Sequence, residues 1–365
     1  FGRASSDSSS RQTSIIAGRC DRSMTQQPSQ PVNEPWRNRV KQFLEQSQLA
    51  DIGAPTVPLT GDASNRRYFR VIPRSGESFV LALYDKSFKS ETLSFIKVAS
   101  LLEQMEVLVP EVLEHAADLG VLALQDLGDV TLQAHLGTSS TNDHLAVYRE
   151  AVDLITVIQR KGLAMAAPGV LPFTVNFDVK KFMWELNYFA EHFLEGYRGV
   201  TLNDEARRGI SQEFQNLSEE LANEPQVLCH RDYHSRNLML HNERLYVIDF
   251  QDARLGPATY DLVSLLRDSY ADLKEETIED LIDRFLANTH VSLPADKFRR
   301  QFDAMALQRN LKALGTFGYQ TSIRRNPVYI QYIPRTIHYL RRTFDRNPRF
   351  DSLRGALAPF LQEIG

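Results

Sequence analysis

The chain has 365 residues, 42% of them hydrophobic and 24% charged, and 42 Lys+Arg against 46 Asp+Glu give a formal charge of −4. That balance excludes a disordered chain and a strongly basic nucleic-acid binder, and it leaves enough apolar material for a two-lobed enzyme. Cys20 and Cys229 lie far apart and no stretch reaches the roughly 18 apolar residues of a membrane span, so the expectation is a cytoplasmic protein without a structural disulfide or a membrane contact.

Residues 1–32 are polar and Ser/Arg-rich, without the apolar centre of a secretion signal, and read as a flexible or non-native tail. A helix is predicted from Pro35, where Trp36, Val40, Phe43 and Leu44 recur at helical spacing. The period then changes. TVPLT (56–60), RYFRVI and SFVLALY are apolar or β-branched runs separated by turn residues, which predicts a three-stranded meander. Residues 91–106 return to helical spacing, and VPEVLEH and GVLALQDL predict two more strands. Residues 33–125 therefore read as a small antiparallel-sheet lobe with one inserted helix. From Leu145 the pattern is mainly helical, through 145–160, 179–197, 206–223 and 278–286, interrupted by two short strands at 238–240 and 245–248. Residues 126–365 read as the second lobe, giving an α+β fold of two lobes.

The residues able to carry chemistry gather around that interruption. In HRDYHSRN (230–237) Asp232 precedes Asn237 by five positions, and Asp249 follows the second strand. One carboxylate can take a proton from a hydroxyl, while an amide oxygen and a second carboxylate are the hard ligands that Mg²⁺ accepts beside substrate phosphates. His230 reads as a loop anchor, and His234 as either a loop anchor or a residue at the substrate mouth. The spacing of His230, His234 and His241 carries no zinc signature. Upstream, GDASN (61–65) sits between predicted strands, where Gly61 and neighbouring backbone N–H groups can approach phosphate and Ser64 can donate a hydrogen bond. The third strand holds Ala82 and Leu83 where a kinase carries its phosphate lysine, so the cation must come from Lys86, Lys89, Arg66 or Arg67, with Glu91 as a candidate partner. Strand alternation lets only one of Arg66 and Arg67 point inward. Gln125–Asp129, with Gly128 at the turn, reads as an interlobe hinge suited to adenine.

GDASNRRYFR (61–70), HRDYHSRNLM (230–239), DFQDARLGPATYDLVSLLRD (249–268) and LQRNLKALG (307–315) together resemble the aminoglycoside-phosphotransferase-like kinase superfamily, and within it the bacterial N-acetylmuramate/N-acetylglucosamine kinases of cell-wall recycling. The resemblance covers roughly residues 33–355. It implies a protein-kinase-like fold, ATP and Mg²⁺ as cofactors, Asp232 as the catalytic base, Gly61, Ser64, Asn237 and Asp249 at the nucleotide, and Asn237 and Asp249 on the metal. It also implies Asp261 as an anchor of the catalytic loop. Phosphorylation of the anomeric hydroxyl of an amino sugar is the expected reaction, with no nucleic-acid, membrane or obligatory protein partner. Arg254, Arg267, Gln308 and Lys312 are candidate polar contacts to the sugar, and Tyr260 and Tyr270 candidate aromatic walls. The rival readings are a kinase for an aminoglycoside, choline-like alcohol or other sugar, and a catalytically silent nucleotide-binding module.

Overall fold

Strand alternation and turn chemistry build the first lobe. The computed structural model describes residues 35–49, 53–59, 66–137, 141–167, 169–289 and 293–365. Helix α1 (Pro35–Gln46) precedes β1 (Thr56–Leu59), β2 (Arg67–Val71) and β3 (Phe79–Leu83); α2 (Ser94–Gln104) follows, then β4 (Val112–Ala116) and β5 (Val121–Gln125). The five strands form one antiparallel sheet in the order β1-β2-β3-β5-β4, so the expected meander is present and β5 returns to pair with β3. Alternation gives the sheet two faces. Phe69, Val71, Leu81 and Leu83 pack with Val40 and Phe43 of α1, whereas Tyr68, Val80, Ala82 and Tyr84 belong to the core shared with α2 and the second lobe.

Beyond β5 the chain turns at Asp126, whose carboxylate accepts from Gly128 N at 3.0 Å, and Gly128 takes a φ of +77° that suits glycine. Arg70 of β2 pairs with both Asp126 and Asp129, fastening the hinge to the sheet.

The second lobe is helical because its apolar residues recur at three and four. It contains α3 (Leu132–Leu136), α4 (Thr141–Met165), α5 (Val179–Phe189) continuing into a π-helical turn (Ala190–Tyr197), α6 (Asp204–Ala222), α7 (Thr259–Leu266), α8 (Glu275–Asn288), α9 (Ala295–Ser322), α10 (Ile333–Arg346) and α11 (Asp351–Leu357). Side-chain caps start several of these: Asp178 accepts from Lys181 N at 2.7 Å and Asn203 from Ala206 N at 2.8 Å. Between α6 and α7 run β6 (Gln226–Cys229), β7 (Leu238–His241), β8 (Arg244–Val247) and β9 (Arg254–Pro257), paired β6 with β9 and β7 with β8. The β7–β8 turn holds Asn242 and Glu243 at φ of +49° and +59°, the geometry a tight hairpin requires. Cys229 is buried and free.

Helix α9 is the centre of this lobe, packed against α5, the π-helical turn, α7 and α10. Gly315 and Gly318 let it approach closely: a Cβ on Gly318 would lie 2.3 Å from the His192 carbonyl oxygen, and one on Gly315 2.9 Å from Phe189 Cα. Among the described residues no helix is long and apolar enough to cross a membrane.

Candidate active site

The segment 230–237 links β6 to β7 and is held by two buried acids, Asp261 in the first turn of α7 and Asp268 just beyond its end. Asp261 accepts from His230 N at 2.7 Å and from Arg231 N at 3.0 Å. Asp268 accepts from Ser235 N at 2.9 Å and Ser235 Oγ at 2.5 Å. His230 Nε2 donates to Ile248 O at 2.9 Å, tying the loop to the strand that leads to Asp249. These contacts hold Arg231 at a φ of +87° and leave the intervening Asp232 facing a cavity. Asp261 is thus the loop anchor the sequence suggested, and burial pushes its carboxyl above the ordinary value despite the two N–H donors.

The cavity, about 610 Å³, is lined by Arg66 and Tyr84 of the sheet lobe, by Asp232, Asn237 and Asp249, and by Tyr270, Asn310 and Phe317 of the helical lobe. Asp232 Oδ1 sits 3.2 Å from Lys312 Nζ and 3.8 Å from Arg309 Nη2, and Oδ2 lies 3.8 Å from Arg231 Nη1. Burial alone would raise the Asp232 carboxyl, but Lys312, Arg231 and Arg309 outweigh it and hold the group well below the usual carboxylate range. Burial conversely lowers Lys312, partly offset by Asp232.

Asn237 donates its amide Nδ2 to Asp232 O at 2.8 Å, which turns the amide oxygen into the group available to a cation. Asp249 follows β8 with a φ of +61°, and its Oδ1 accepts from Gln251 Nε2 at 2.8 Å. Its neighbour Phe250 is fully buried against Phe95 of α2, ring centroids 4.8 Å apart, so α2 meets this loop through aromatic packing. Among the described residues no three His, Cys, Asp or Glu side chains converge on a point that could hold a metal. The donor set suits a divalent ion whose remaining ligands are water and phosphate oxygens, the mode Mg²⁺ favours.

The structure sorts the other candidates. Gly61 and Ser64 lie outside the described residues, as does the 1–32 tail. Arg66 points into the cavity and Arg67 is exposed, as alternation requires. Lys86, Lys89 and Glu91 are exposed and do not line the cavity. Of the proposed sugar contacts, Lys312 is beside Asp232 and Arg267 also lines the cavity while forking onto Glu275 at 2.5 and 3.0 Å, whereas Gln308 donates to the buried Glu185 at 2.7 Å and Arg254 donates to Asp252 O at 3.1 Å. Tyr260 is buried in the core, its hydroxyl accepting from Arg309 at 2.7 Å, whereas Tyr270 does form a cavity wall. Sequence reading missed Arg309, Asn310 and Asp268. Asn310 Oδ1 and His234 Nδ1 are both buried and unpartnered among the described residues, and both residues line the cavity. Burial lowers His234, so its ring is neutral at pH 7 with one donor and one acceptor nitrogen.

Comparison with known proteins decides the family. Residues 56–300 match the phosphotransferase enzyme family. The chain belongs to that family. The phosphotransferase is 36% identical over 291 residues to an N-acetylmuramate/N-acetylglucosamine kinase of Neisseria meningitidis, covering 78% of this chain and 84% of the relative. It is 31% identical over 314 residues to the Pseudomonas aeruginosa protein of the same name, covering 85% and 89%. Its fold is shared with choline kinase LicA from Streptococcus pneumoniae (TM-score 0.58, 12% identity, 84% of this chain and 99% of that one). It is shared equally with the gentamicin complex of APH(2″)-IIa (TM-score 0.56, 15% identity, 83% and 95%). The two-lobed architecture and ATP-dependent phosphoryl transfer to a small molecule follow from family membership.

Proposed function

We propose that this phosphotransferase moves the γ-phosphoryl group of ATP to the anomeric hydroxyl of N-acetylmuramate and/or N-acetylglucosamine, forming the sugar 1-phosphate and ADP in peptidoglycan recycling. One observation carries the choice of acceptor: α9 sets Lys312 and Arg309 beside Asp232. With Arg231 they surround the reacting carboxylate with positive charge, which disfavours a cationic acceptor such as choline or an aminoglycoside and suits a neutral sugar or one bearing a carboxylate, as N-acetylmuramate does. The names of the bacterial relatives support the same reading. Asn310 Oδ1 and His234 supply hydrogen-bonding groups for sugar hydroxyls or the acetamide, and Tyr270 and Phe317 an apolar wall.

Asp232 is the base. Lys312 occupies Oδ1, so Oδ2 is the oxygen that receives the hydroxyl proton as the sugar oxygen bonds to the γ-phosphorus and ADP leaves. A carboxylate held so far below its usual range removes little proton density before the transition state, so its main service is to orient the hydroxyl and take the proton late. Asn237 and Asp249 would hold Mg²⁺, which supplies charge neutralisation at the phosphates. Gly61 and Ser64 are proposed to cover the phosphate. The test is Mg²⁺-dependent ADP release with N-acetylmuramate, N-acetylglucosamine, glucose, choline and an aminoglycoside in parallel, the product identified by ³¹P NMR. A 1-phosphate formed selectively from the N-acetyl sugars supports the proposal; transfer confined to choline or the aminoglycoside contradicts it.

A further inference from the structure

Kinases place a lysine on the third strand of the sheet lobe to meet the ATP phosphates, and here that strand has none. Alternation puts Val80, Ala82 and Tyr84 on the cleft face and Leu81 and Leu83 on the opposite one, so the cleft-facing position at the end of β3 is occupied by Tyr84, which lines the cavity. Leu83 pairs with Arg67 across the β2–β3 ladder, and Arg66 is therefore the residue that reaches the level of Tyr84. Its guanidinium lies 5.7 Å from the Tyr84 ring centroid and 6.0 Å from that of Tyr68. Nη2 is 3.4 Å from Asp249 Oδ1. Two rings hold the charge on the cleft side, and its carboxylate contact is one of the two residues assigned to the metal.

We infer that Arg66 is the phosphate-binding cation of this phosphotransferase, carried at the start of β2 in place of the third-strand lysine, resting on Asp249 and turning to phosphate oxygens when nucleotide enters. The guanidinium fork suits phosphate as well as it suits carboxylate. Only the rotation of one long side chain is needed, because the Mg²⁺ that Asp249 is proposed to hold would bring the phosphate oxygens beside it. The competing cations do not meet these conditions: Lys86 and Lys89 are exposed outside the cavity, Lys312, Arg309 and Arg231 face Asp232, and Arg267 is forked onto Glu275. Glu91 is exposed as well, so the lysine–glutamate pair of protein kinases has no counterpart between α2 and β3 among the described residues.

The inference rests on the reading of the cavity wall around Arg66 and Asp249 as the nucleotide site. It is tested by calorimetric affinities of Arg66→Met, Arg66→Gln and Arg67→Met for ATP with Mg²⁺ and for adenosine, which has no phosphate. Losing a charge-assisted contact to phosphate is expected to weaken ATP by roughly tenfold to a hundredfold in both Arg66 variants. Adenosine should bind within about twofold of wild type, which also shows that the cleft is intact. Arg67→Met, on the exposed face, should bind ATP as wild type does. Equal losses for ATP and adenosine would make Arg66 a structural residue and overturn the inference, as would ATP affinity unchanged in both Arg66 variants. Wild-type protein that binds neither ligand would overturn the nucleotide reading itself, and the inference with it.

Discussion

Asp261 gives the sharpest mechanical prediction, because it holds the catalytic loop by two hydrogen bonds and touches no reacting group. It is fully buried, and its two oxygens take the N–H groups of His230 and Arg231 at 2.7 and 3.0 Å. A hydrogen bond to a charged group contributes about 1.5–3 kcal/mol, so Asp261→Ala, which leaves both donors buried and unpaired, is expected to cost about 3–6 kcal/mol. Asp261→Asn keeps one acceptor oxygen and turns an NH₂ toward the other N–H, for about half that loss. At roughly 1.3 °C of melting temperature per kcal/mol in a chain of this size, the alanine variant should melt about 4–8 °C lower. Activity should fall further than stability implies. Arg231 keeps its left-handed backbone only while that anchor exists, and displacement of the adjacent Asp232 by about 1 Å costs on the order of a hundredfold in rate. The assay is differential scanning fluorimetry with kcat measured well below the new melting temperature. An Asp261→Asn protein whose melting point stays within about 1 °C of wild type, with kcat unchanged, would refute the anchoring argument.

Three further outcomes follow from the same structure. Glu224 is buried and its carboxyl is pushed up to about 8 by burial first and Glu220 second. The folded state therefore holds a proton that the unfolded state has lost between the ordinary carboxylate range and about pH 8; stability falls as pH rises through that window, and Glu224→Gln should flatten the decline and stabilise the protein at pH 8 by on the order of a few kcal/mol, as denaturant melts at pH 5 and 8 would show. Lys312→Met removes the foremost of the charges that hold Asp232 low, so the carboxyl rises under its burial and the acid limb of the kcat/KM profile moves to higher pH; an unmoved limb would contradict the electrostatic assignment. Gly318→Ala drives a methyl into the His192 carbonyl, which cannot yield as a flexible side chain would, and should destabilise by about 1–3 kcal/mol while weakening acceptor binding through the shift of α9 and Lys312, read as a raised acceptor KM.

The sheet lobe was legible because its strands are short apolar or β-branched runs, with β3 and β5 apolar along nearly their whole length, and because turn residues such as Pro73, Ser75 and Gly76 bound them. The Asp232, Asn237 and Asp249 set was legible because a loop and a hairpin bring those residues together locally, within 18 positions of one another. What stayed hidden depends on contacts over long separations. Asp268 reaches Ser235 across 33 residues and Lys312 reaches Asp232 across 80, and no local spacing reports either. Helix α9 is buried on all sides, from Phe298 and Phe302 through Leu307, Leu311 and Leu314 to Gln308, Asn310 and Gln320, so it has no amphipathic stripe to reveal its length. Gln308 looks like a ligand-binding residue in sequence because it is polar among apolar neighbours, but its amide donates to Glu185 inside the lobe. Tyr84 was passed over for the opposite reason. An aromatic residue at a strand end signals packing, and only the three-dimensional ladder shows that it faces the cavity beneath Arg66.

Asp232 is proposed to orient and deprotonate the acceptor in the cavity between the two lobes. Rapid-quench single turnover of Asp232→Asn with bound ATP, Mg²⁺ and saturating N-acetylmuramate tests that role most directly, because the substitution preserves shape and removes only the proton-accepting charge. ATP affinity should stay within about threefold of wild type, and sugar 1-phosphate formation should slow by about 10²- to 10⁴-fold. Single-turnover transfer at the wild-type rate would contradict that role and move the base to another residue of the cavity.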